Sequence, residues 1–488
     1  MTPEPRKDRI SSPALLLIVG RSVGFVVSFA IPVVLARTFD RAEFGAYKQL
    51  FLVYGTLFGL AQFGAAESLY YFVPRSAGEA GRRVCNAIVM LVLMGAACFA
   101  VLAAARTGVA RWLTNPGIAR DLPLIGAFLA LSLVTAVFEI VMVARHEHTK
   151  AACTYAASDI TRTALIVAPA LAIGGLRAVL FGAVAFAALR LAAMLVYLVR
   201  EFRGELRIDS GLWREQFAYA LPFALAVAVD VVQANFHQWA VASRFDAATF
   251  AVYAVGCLQI PLVDLICTST ANVMMVRLAE VAREGEDSAL RLWHDTIARL
   301  AWLVLPLAAF FLLTARGVIV LLFTNRYLAS VPVFMVWCLM IVPSAFAVDA
   351  VLRAYAQPRF LLAMNIVRLA VIAGLIGPFI RVFGLTGAAL VTLAATTLVK
   401  AAAVGKIARL MNVGVRDVLP WKRLAATAGQ AAAAVVPAWW ALRIPSVSLS
   451  VALVMSAAAY ATAFGAIGLA RVWWRQREIK SCVALPAS

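Results

Sequence analysis

The chain has 488 residues, of which 63% are hydrophobic and 14% charged, and its formal net charge is +19. Soluble domains run near half apolar and a quarter charged, so a mean hydropathy of +0.89 excludes an ordinary globular enzyme. The composition is that of a polytopic, all-α membrane protein.

Apolar runs of about twenty residues, long enough to cross a hydrocarbon core of about 30 Å, recur along the whole chain. Hydropathy and breaker residues place about fourteen spans: 13–36, 46–73, 84–105, 122–144, 151–173, 177–199, 216–242, 247–275, 297–323, 330–355, 359–381, 385–406, 424–443 and 447–473. The first has too long an apolar stretch, and no small-residue cleavage site after it, to read as a cleaved signal peptide. With the N-terminus inside, about 26 Lys and Arg fall in inner segments and about 11 in outer ones, so both termini are expected in the cytoplasm. Most of the positive charge is therefore a topology signal. Nucleic acid is not an expected partner, and anionic lipid head groups are a secondary one.

The chain writes one short loop twice. "ARTFDRAEFGAY" (Ala36–Tyr47) returns as "ASRFDAATFAVY" (Ala242–Tyr253), with Phe39, Asp40, Ala42, Phe44 and Tyr47 repeated 206 residues on. At the same shift "SDITRTA" (Ser158–Ala164) meets "MNIVRLA" (Met364–Ala370), which pairs Asp159 with Asn365 and Arg162 with Arg368. With a small gap, "GLRAVLFGA" at Gly175 meets "GLTGAALVT" at Gly384, and Arg190 comes near Lys400. Two six-helix lobes are expected, 1–204 and 205–410, with an extra helix pair and cytoplasmic tail at 411–488. Six is even, so the repeats are parallel, a plan that puts a substrate site between halves. The repeated loop is then the tight outer turn between the first two helices of each lobe.

Among the ionisable residues inside the expected spans are eleven that the cost of burial in lipid makes informative: Arg21, Glu67, Glu139, Asp159, Arg162, Arg190, Asp230, Asp264, Asp349, Arg368 and Lys400. Facing lipid, each costs about 2.5–3.5 kcal/mol at the bilayer centre. Together that is roughly 30 kcal/mol, more than the ~5–15 kcal/mol net stability of a fold. Most must pair, face water or sit near an interface. Asp159 with Arg162 and Asp349 with Arg353 are spaced to share a helix face. Arg21 and Arg368 have no such neighbour and are expected in a wet cavity, while Arg190 and Lys400 could snorkel. On the seventh span, Asp230, Gln233 and His237 form a polar stripe at i, i+3, i+7, with Asn235 and Gln238 nearby. Such a stripe faces a partner helix or hydroxyl-rich cargo.

No chemistry-bearing motif accompanies them. The seven cysteines lack close metal or redox spacing, and "HEH" at His146–His148 has too few partners for a metal site. There is no Walker loop, HExxH or GxSxG. No loop exceeds about twenty residues, which leaves a membrane glycan enzyme nowhere to hold catalytic groups. Neither catalysis nor a cofactor or metal is expected.

The pattern "PVVLARTFDRAEFGAYKQLFLVYGTLFGLAQFG", opening a chain of about fourteen helices, resembles the oligosaccharide flippase (polysaccharide export) family of the multidrug/oligosaccharidyl-lipid/polysaccharide exporter superfamily. The likeness covers about residues 1–480. Many members have Gly and Pro where this chain has Asp40 and Arg41, a departure that bears on turn shape. The resemblance implies two six-helix lobes around a central cavity and a flanking helix pair. It also implies flipping of an isoprenoid-diphosphate-linked oligosaccharide across a bacterial inner membrane by alternating access, for surface polysaccharide. Polysaccharide polymerase and glycosyltransferases are then further partners. For that cargo, Arg21, Arg162 and Arg368 are candidates for the diphosphate, since Arg offers a planar fork to phosphate oxygens. Gln233, Asn235, His237 and Gln238 are candidates for sugar hydroxyls. Glu67, Glu139, Asp230, Asp264 and Asp349 are candidates for ion coupling or for partnering the arginines. A drug/cation antiporter of the same superfamily and a peptidoglycan lipid-precursor flippase are the alternatives.

Overall fold

A computed structural model describes residues 12–75, 77–281, 286–445 and 447–483. Among them the regular structure is helix, with no strand. The chain divides into two compact units, one ending at Val252 and the other beginning at Tyr253.

The first unit holds α1 (Ser12–Thr38), α2 (Arg41–Ala61), α3 (Ser68–Arg75), α4 (Ala80–Ala104), α5 (Arg106–Trp112), α6 (Leu122–Thr135), α7 (Val137–Ala144), α8 (His148–Ala172), α9 (Leu176–Phe202) and α10 (Ser210–Ala242). The span formed by α6 and α7 is two-thirds buried inside the protein and packs against α4 and α9. Small residues permit these approaches, as is usual where helices pack in lipid. A Cβ on Gly95 would lie 3.0 Å from the Ala130 backbone. One on Gly182 would lie 1.8 Å from the Leu165 carbonyl oxygen, so α8 and α9 touch backbone to backbone there. α1 runs along α8, and α10 along α2.

Helix α11 (Ala247–Gly256) crosses the boundary. The second unit continues with α12 (Pro261–Val281), α13 (Glu286–Phe323), α14 (Val331–Leu339), α15 (Val348–Ala354), α16 (Pro358–Phe383), α17 (Leu385–Leu410), α18 (Trp421–Leu442) and α19 (Leu449–Val483). α13 has 38 residues, roughly 57 Å at 1.5 Å per residue, more than a bilayer core needs. Its first turns pack on the segment after α17: the Trp293 indole donates to the Val418 carbonyl at 2.9 Å, and Arg423 pairs with Asp295 at 2.5 Å. α18 and α19 pack together through Ala431, Ala434, Ala438, Tyr460 and Phe464. The Arg471 side chain caps this pair by donating to the Gln430 side chain and the Ala426 carbonyl.

Among the described residues, eight helical segments are long and apolar enough to cross a membrane, and nine if α10, bent by 41°, counts as one span. The other five expected spans fall on α1, α2–α3, α8, α11–α12 and α18. Three spans expected to be continuous are broken. Residues 62–67 between α2 and α3 form turns, with Phe63 and Gly64 at positive φ. The chain leaves the helix at 257–260, just before Pro261, because the residue ahead of a proline disfavours helical backbone. Between α14 and α15 a short 3₁₀ turn starts near Pro343. With the small break at Ala136, the interruptions fall in the second and fourth span of each six.

The twice-written loop folds the same way both times. The Asp40 carboxylate accepts from the Glu43 amide at 2.8 Å, and Asp246 accepts from Thr249 at 3.2 Å. Each Asp is thereby an N-cap, the role a short carboxylate fills well. The Phe44 and Phe250 amides reach back to the Asp40 and Asp246 carbonyls, keeping the spacing of 206.

Candidate functional site

Among the described residues of the first unit, two ion pairs lie away from the ends of the spanning helices. On α8, the Asp159 carboxylate accepts from Arg162 Nη2 at 2.8 Å and from Ser28 Oγ of α1 at 3.2 Å. Arg162 Nη2 also donates to Ser28 Oγ at 2.7 Å. The triangle clasps α1 to α8. It needs Gly24, where a Cβ would lie 2.2 Å from Asp159 Oδ2. Both bonds of Arg162 use one nitrogen, and 37% of its side chain stays exposed. The cation is held in place with donors left over.

The second pair is of a different kind. Glu139 on α7 is 2% exposed and meets Arg190 Nη2 of α9 at 2.5 Å. Arg190 also reaches the Thr135 carbonyl, and Ser158 Oγ donates to Glu139 at 3.5 Å. Here a carboxylate is neutralised inside the packing of α7, α8 and α9.

The polar residues of α10 do not share one environment. Gln233 and His237 are each 2% exposed, whereas Asp230 is exposed and Gln238 half-buried. The Asn235 amide donates to the Val231 carbonyl one turn back. The face carrying Val231 and Trp239 meets α2: Gly59 approaches Val231, and the Trp239 indole donates to Thr56 Oγ1 at 3.0 Å. Trp239 also stacks on Trp112, with centroids 5.1 Å apart. These aromatic and hydroxyl partners escaped the sequence reading, because nothing in a Trp or Thr inside an apolar run marks it.

Glu67 is exposed in the turn between α2 and α3, not inside a helix as its position in a long apolar run suggested. The positive-φ pair Phe63–Gly64 ends the helix first. The side chains of Arg21 and Asp264 lie outside the described residues.

In the second unit Asp349 of α15, Asn365 and Arg368 of α16, and Thr396 and Lys400 of α17 line a cavity of about 40 Å³. Lys400 Nζ donates to the Pro343 carbonyl at 2.7 Å, an acceptor exposed by the break between α14 and α15. Asp349 and Arg353 share α15, yet the ion pairs among the described residues do not include them: Asp349 lines the cavity instead.

The turns that open α8 and α16 fix the register between the units here. The Glu147 amide donates to the Met142 carbonyl and the Gln357 amide to Leu352, both at 2.8 Å. His146 and Ala356 both have positive φ. These features recur at a spacing of 210, four more than at the outer loop. The structural counterpart of Arg368 is therefore Ser158, and Arg162 is not, one helical turn away. Glu139 corresponds to Asp349, while α9 and α17 begin 209 apart, at Leu176 and Leu385, which sets Arg190 level with Val399, one residue from Lys400.

The loop ahead of α8 carries a charged cluster. Glu147 accepts from the Tyr197 hydroxyl at 2.9 Å and from Lys150 at 3.2 Å, while Arg145 pairs with Glu201 at 2.9 Å. Burial alone raises the Glu147 carboxyl, but the Tyr197 hydroxyl, Lys150 and Arg145 outweigh it and hold the group below its ordinary value. A lowered carboxylate stabilises the fold above its unfolded value and loses that effect as pH falls through the folded one. The melting temperature in detergent should stay level down to the ordinary glutamate range near about pH 4.3 and drop below it. Glu147→Gln should flatten that part of the drop, and an unchanged drop in this variant rules the cluster out as its source.

A family model described as polysaccharide biosynthesis protein matches residues 34–332. No curated protein matches significantly. Among solved structures, the lipid II flippase MurJ in an inward closed conformation superposes with a TM-score of 0.71 at 11% identity, over 94% of this chain and 99% of that one. The inward-facing conformation of a multidrug resistance MATE family transporter of the MOP superfamily gives 0.58 at 14% identity, over 83% and 97%. A MOP superfamily transporter from Pyrococcus furiosus gives 0.55 at 13%, over 82% and 94%. At these identities the likeness is one of fold.

Proposed function

Because the chain belongs to the polysaccharide biosynthesis protein family, and is a multi-pass membrane protein with the fold of MOP superfamily transporters, we propose that it flips an isoprenoid-diphosphate-linked oligosaccharide. The cargo passes from the cytoplasmic to the outer leaflet of a bacterial inner membrane, by alternating access, to supply surface polysaccharide. The observation that carries this reading is Arg162: an intramembrane guanidinium fixed by Asp159 and Ser28 with over a third of its side chain exposed. A diphosphate needs a cation of this kind, already oriented and only partly neutralised. Arg21 on α1 is a second candidate for the phosphates. Arg368 is less suited, since the cavity it lines is too small for a diphosphate. Asp230 and Gln238, the more accessible polar groups of α10, are candidates for sugar hydroxyls, while buried Gln233 and His237 serve packing. Polymerase and glycosyltransferases are the partners this cargo implies, and both termini lie in the cytoplasm.

A lipid-precursor carrier of the lipid II type is the second reading, because the flippase superposes over more of the chain than the drug transporters do. Deleting the gene separates these readings. Loss of surface polysaccharide, with the lipid-linked unit still made and inaccessible from outside, is the expected result. Unchanged polymer with arrested cell-wall synthesis moves the cargo to the peptidoglycan precursor. Unchanged polymer with raised sensitivity to cationic drugs rejects the flippase reading.

A further inference from the structure

In the second unit, the N-terminal parts of α13 and α18 form a groove of about 390 Å³ lined by Asp295, Ala298, Arg299, Trp302 and Arg423. The first four sit on α13 at i, i+3, i+4 and i+7, one face of a helix, and Arg423 comes from the first turn of α18. Asp295 and Arg423 pair at 2.5 Å, with just over half of each side chain exposed. Arg299 is exposed and has no hydrogen bond or ion pair among the described residues. One turn further along α13, Trp302 is 56% exposed, and its ring rests against Phe464 of α19 with centroids 5.6 Å apart. The indole N–H has no acceptor among the described residues.

On the orientation expected from Lys and Arg, these helix ends lie at the cytoplasmic side of the membrane. From Asp295 to Trp302 the helix rises roughly 10 Å at 1.5 Å per residue, which carries the groove from water through the head-group layer to the edge of the apolar core. Two guanidiniums and one carboxylate leave one positive charge. That balances a phosphodiester, which carries one negative charge, and Arg offers its oxygens a planar fork. Tryptophan favours the membrane interface, where its indole N–H donates to a polar oxygen while the ring stays in apolar surroundings. The groove, at about 390 Å³, is in the range of small-ligand sites, roughly 300–1,000 Å³, so a phosphate flanked by glycerol groups fits. A zwitterionic headgroup fits less well, because its ammonium needs Asp295, which Arg423 already holds.

We propose that this groove binds the headgroup of an anionic phospholipid of the cytoplasmic leaflet, a phosphodiester of the phosphatidylglycerol class. Arg299 and Arg423 hold its phosphate, and the Trp302 indole lies beneath it. The bound lipid joins α13 to α18 through a shared phosphate, beside the Asp295–Arg423 pair. None of the residues assigned to the cargo lines this groove, and its test does not depend on the cargo.

The test is thermal melting of the purified full-length protein in detergent micelles, titrated with phosphatidylglycerol or with phosphatidylethanolamine of the same acyl chains, at fixed pH and ionic strength. The expected result is a saturable rise of about 3 °C with phosphatidylglycerol and less than half of it with phosphatidylethanolamine, since a ligand that binds only the folded state raises its stability by mass action. Arg299→Gln removes a side chain without a partner in the fold. It should melt like the wild type in the absence of lipid and need at least about tenfold more phosphatidylglycerol to reach the midpoint, the effect of one lost charge-assisted hydrogen bond. Arg409 is exposed near the end of α17 and does not line the groove. Arg409→Gln removes the same charge and should leave the midpoint unchanged. Equal rises with the two lipids overturn the headgroup assignment. Inorganic phosphate that reproduces the rise makes the ligand a soluble anion and overturns the lipid. An unchanged midpoint in Arg299→Gln, or an equal shift in Arg409→Gln, overturns the site.

Discussion

Replacing Arg190 with alanine should destabilise the protein by about 3–5 kcal/mol, the range for stripping one partner from a buried ion pair. Glu139 is 2% exposed and has the Arg190 guanidinium at 2.5 Å as its only ion-pair partner among the described residues. With the guanidinium gone, the carboxylate must stay charged without compensation or take up a proton. The Ser158 hydroxyl, at 3.5 Å, is a weak substitute. The pair joins α7 to α9 across the most buried span of the first unit, so little solvent can enter to relieve the strain. The expected readout is a large fall in melting temperature in detergent and a lower protein level in the membrane. The control is the double variant Glu139→Leu/Arg190→Met. A hydrophobic replacement of both partners is often neutral or stabilising, so it should recover most of the loss. A single Arg190→Ala variant that melts like the wild type would show that the carboxylate finds other compensation. A double variant as unstable as the single one would show that the loss comes from side-chain packing, not charge.

The sequence announced the spans and part of the site, and the reasons differ by residue. Each expected span falls on helix because a bilayer-length apolar run has no other way to satisfy its backbone. The breaks within α2–α3, α11–α12 and α14–α15 were not legible. They depend on a few backbone angles, as at Phe63, and on prolines that elsewhere in this chain sit inside intact helices, such as Pro169 in α8 and Pro378 in α16. The Asp159–Arg162 pair was readable from its three-residue spacing, since neighbours on a helix face meet by geometry alone. Asp349–Arg353 obeyed the same rule and still did not pair, because the neighbouring helices offer Asp349 a cavity with two cations. Glu139 and Arg190 lie 51 residues apart, and only the packing of the α6–α7 span on α9 joins them. The repeat was visible at the outer loop, where Asp40 and Asp246 perform one capping task. Deeper in, the match of Arg162 with Arg368 misled by one turn. In alanine-rich helices a shift of four residues keeps the same face, and the shared turn hydrogen bonds, not side-chain identity, set the register.

Arg162→Ala should abolish export of the lipid-linked oligosaccharide while the protein remains in the membrane at a near-normal level. Charge-assisted hydrogen bonds contribute about 1.5–3 kcal/mol each, so losing two to a diphosphate lowers affinity by about two to four powers of ten, at ~1.4 kcal/mol per power. Arg162→Lys keeps the charge but loses the planar fork and should fall between. The difficulty is that Arg162 also clasps α1 to α8 through Ser28, so loss of function alone does not distinguish binding from folding. Ser28→Ala resolves this. It breaks the bridge to α1 and leaves the Arg162–Asp159 pair intact at 2.8 Å. If Arg162 acts on phosphate, Ser28→Ala keeps export and Arg162→Ala loses it at matched melting temperatures. If Arg162 only holds α1, the two variants fail together and in proportion to their loss of stability. Asp159→Asn supplies the opposite case: it frees the guanidinium from its counter-charge and should tighten the hold on the diphosphate. Because a carrier must also release its cargo, turnover in that variant should drop while the lipid-linked intermediate co-purifies with the protein. A binding arginine predicts this retained cargo, and a purely structural one does not.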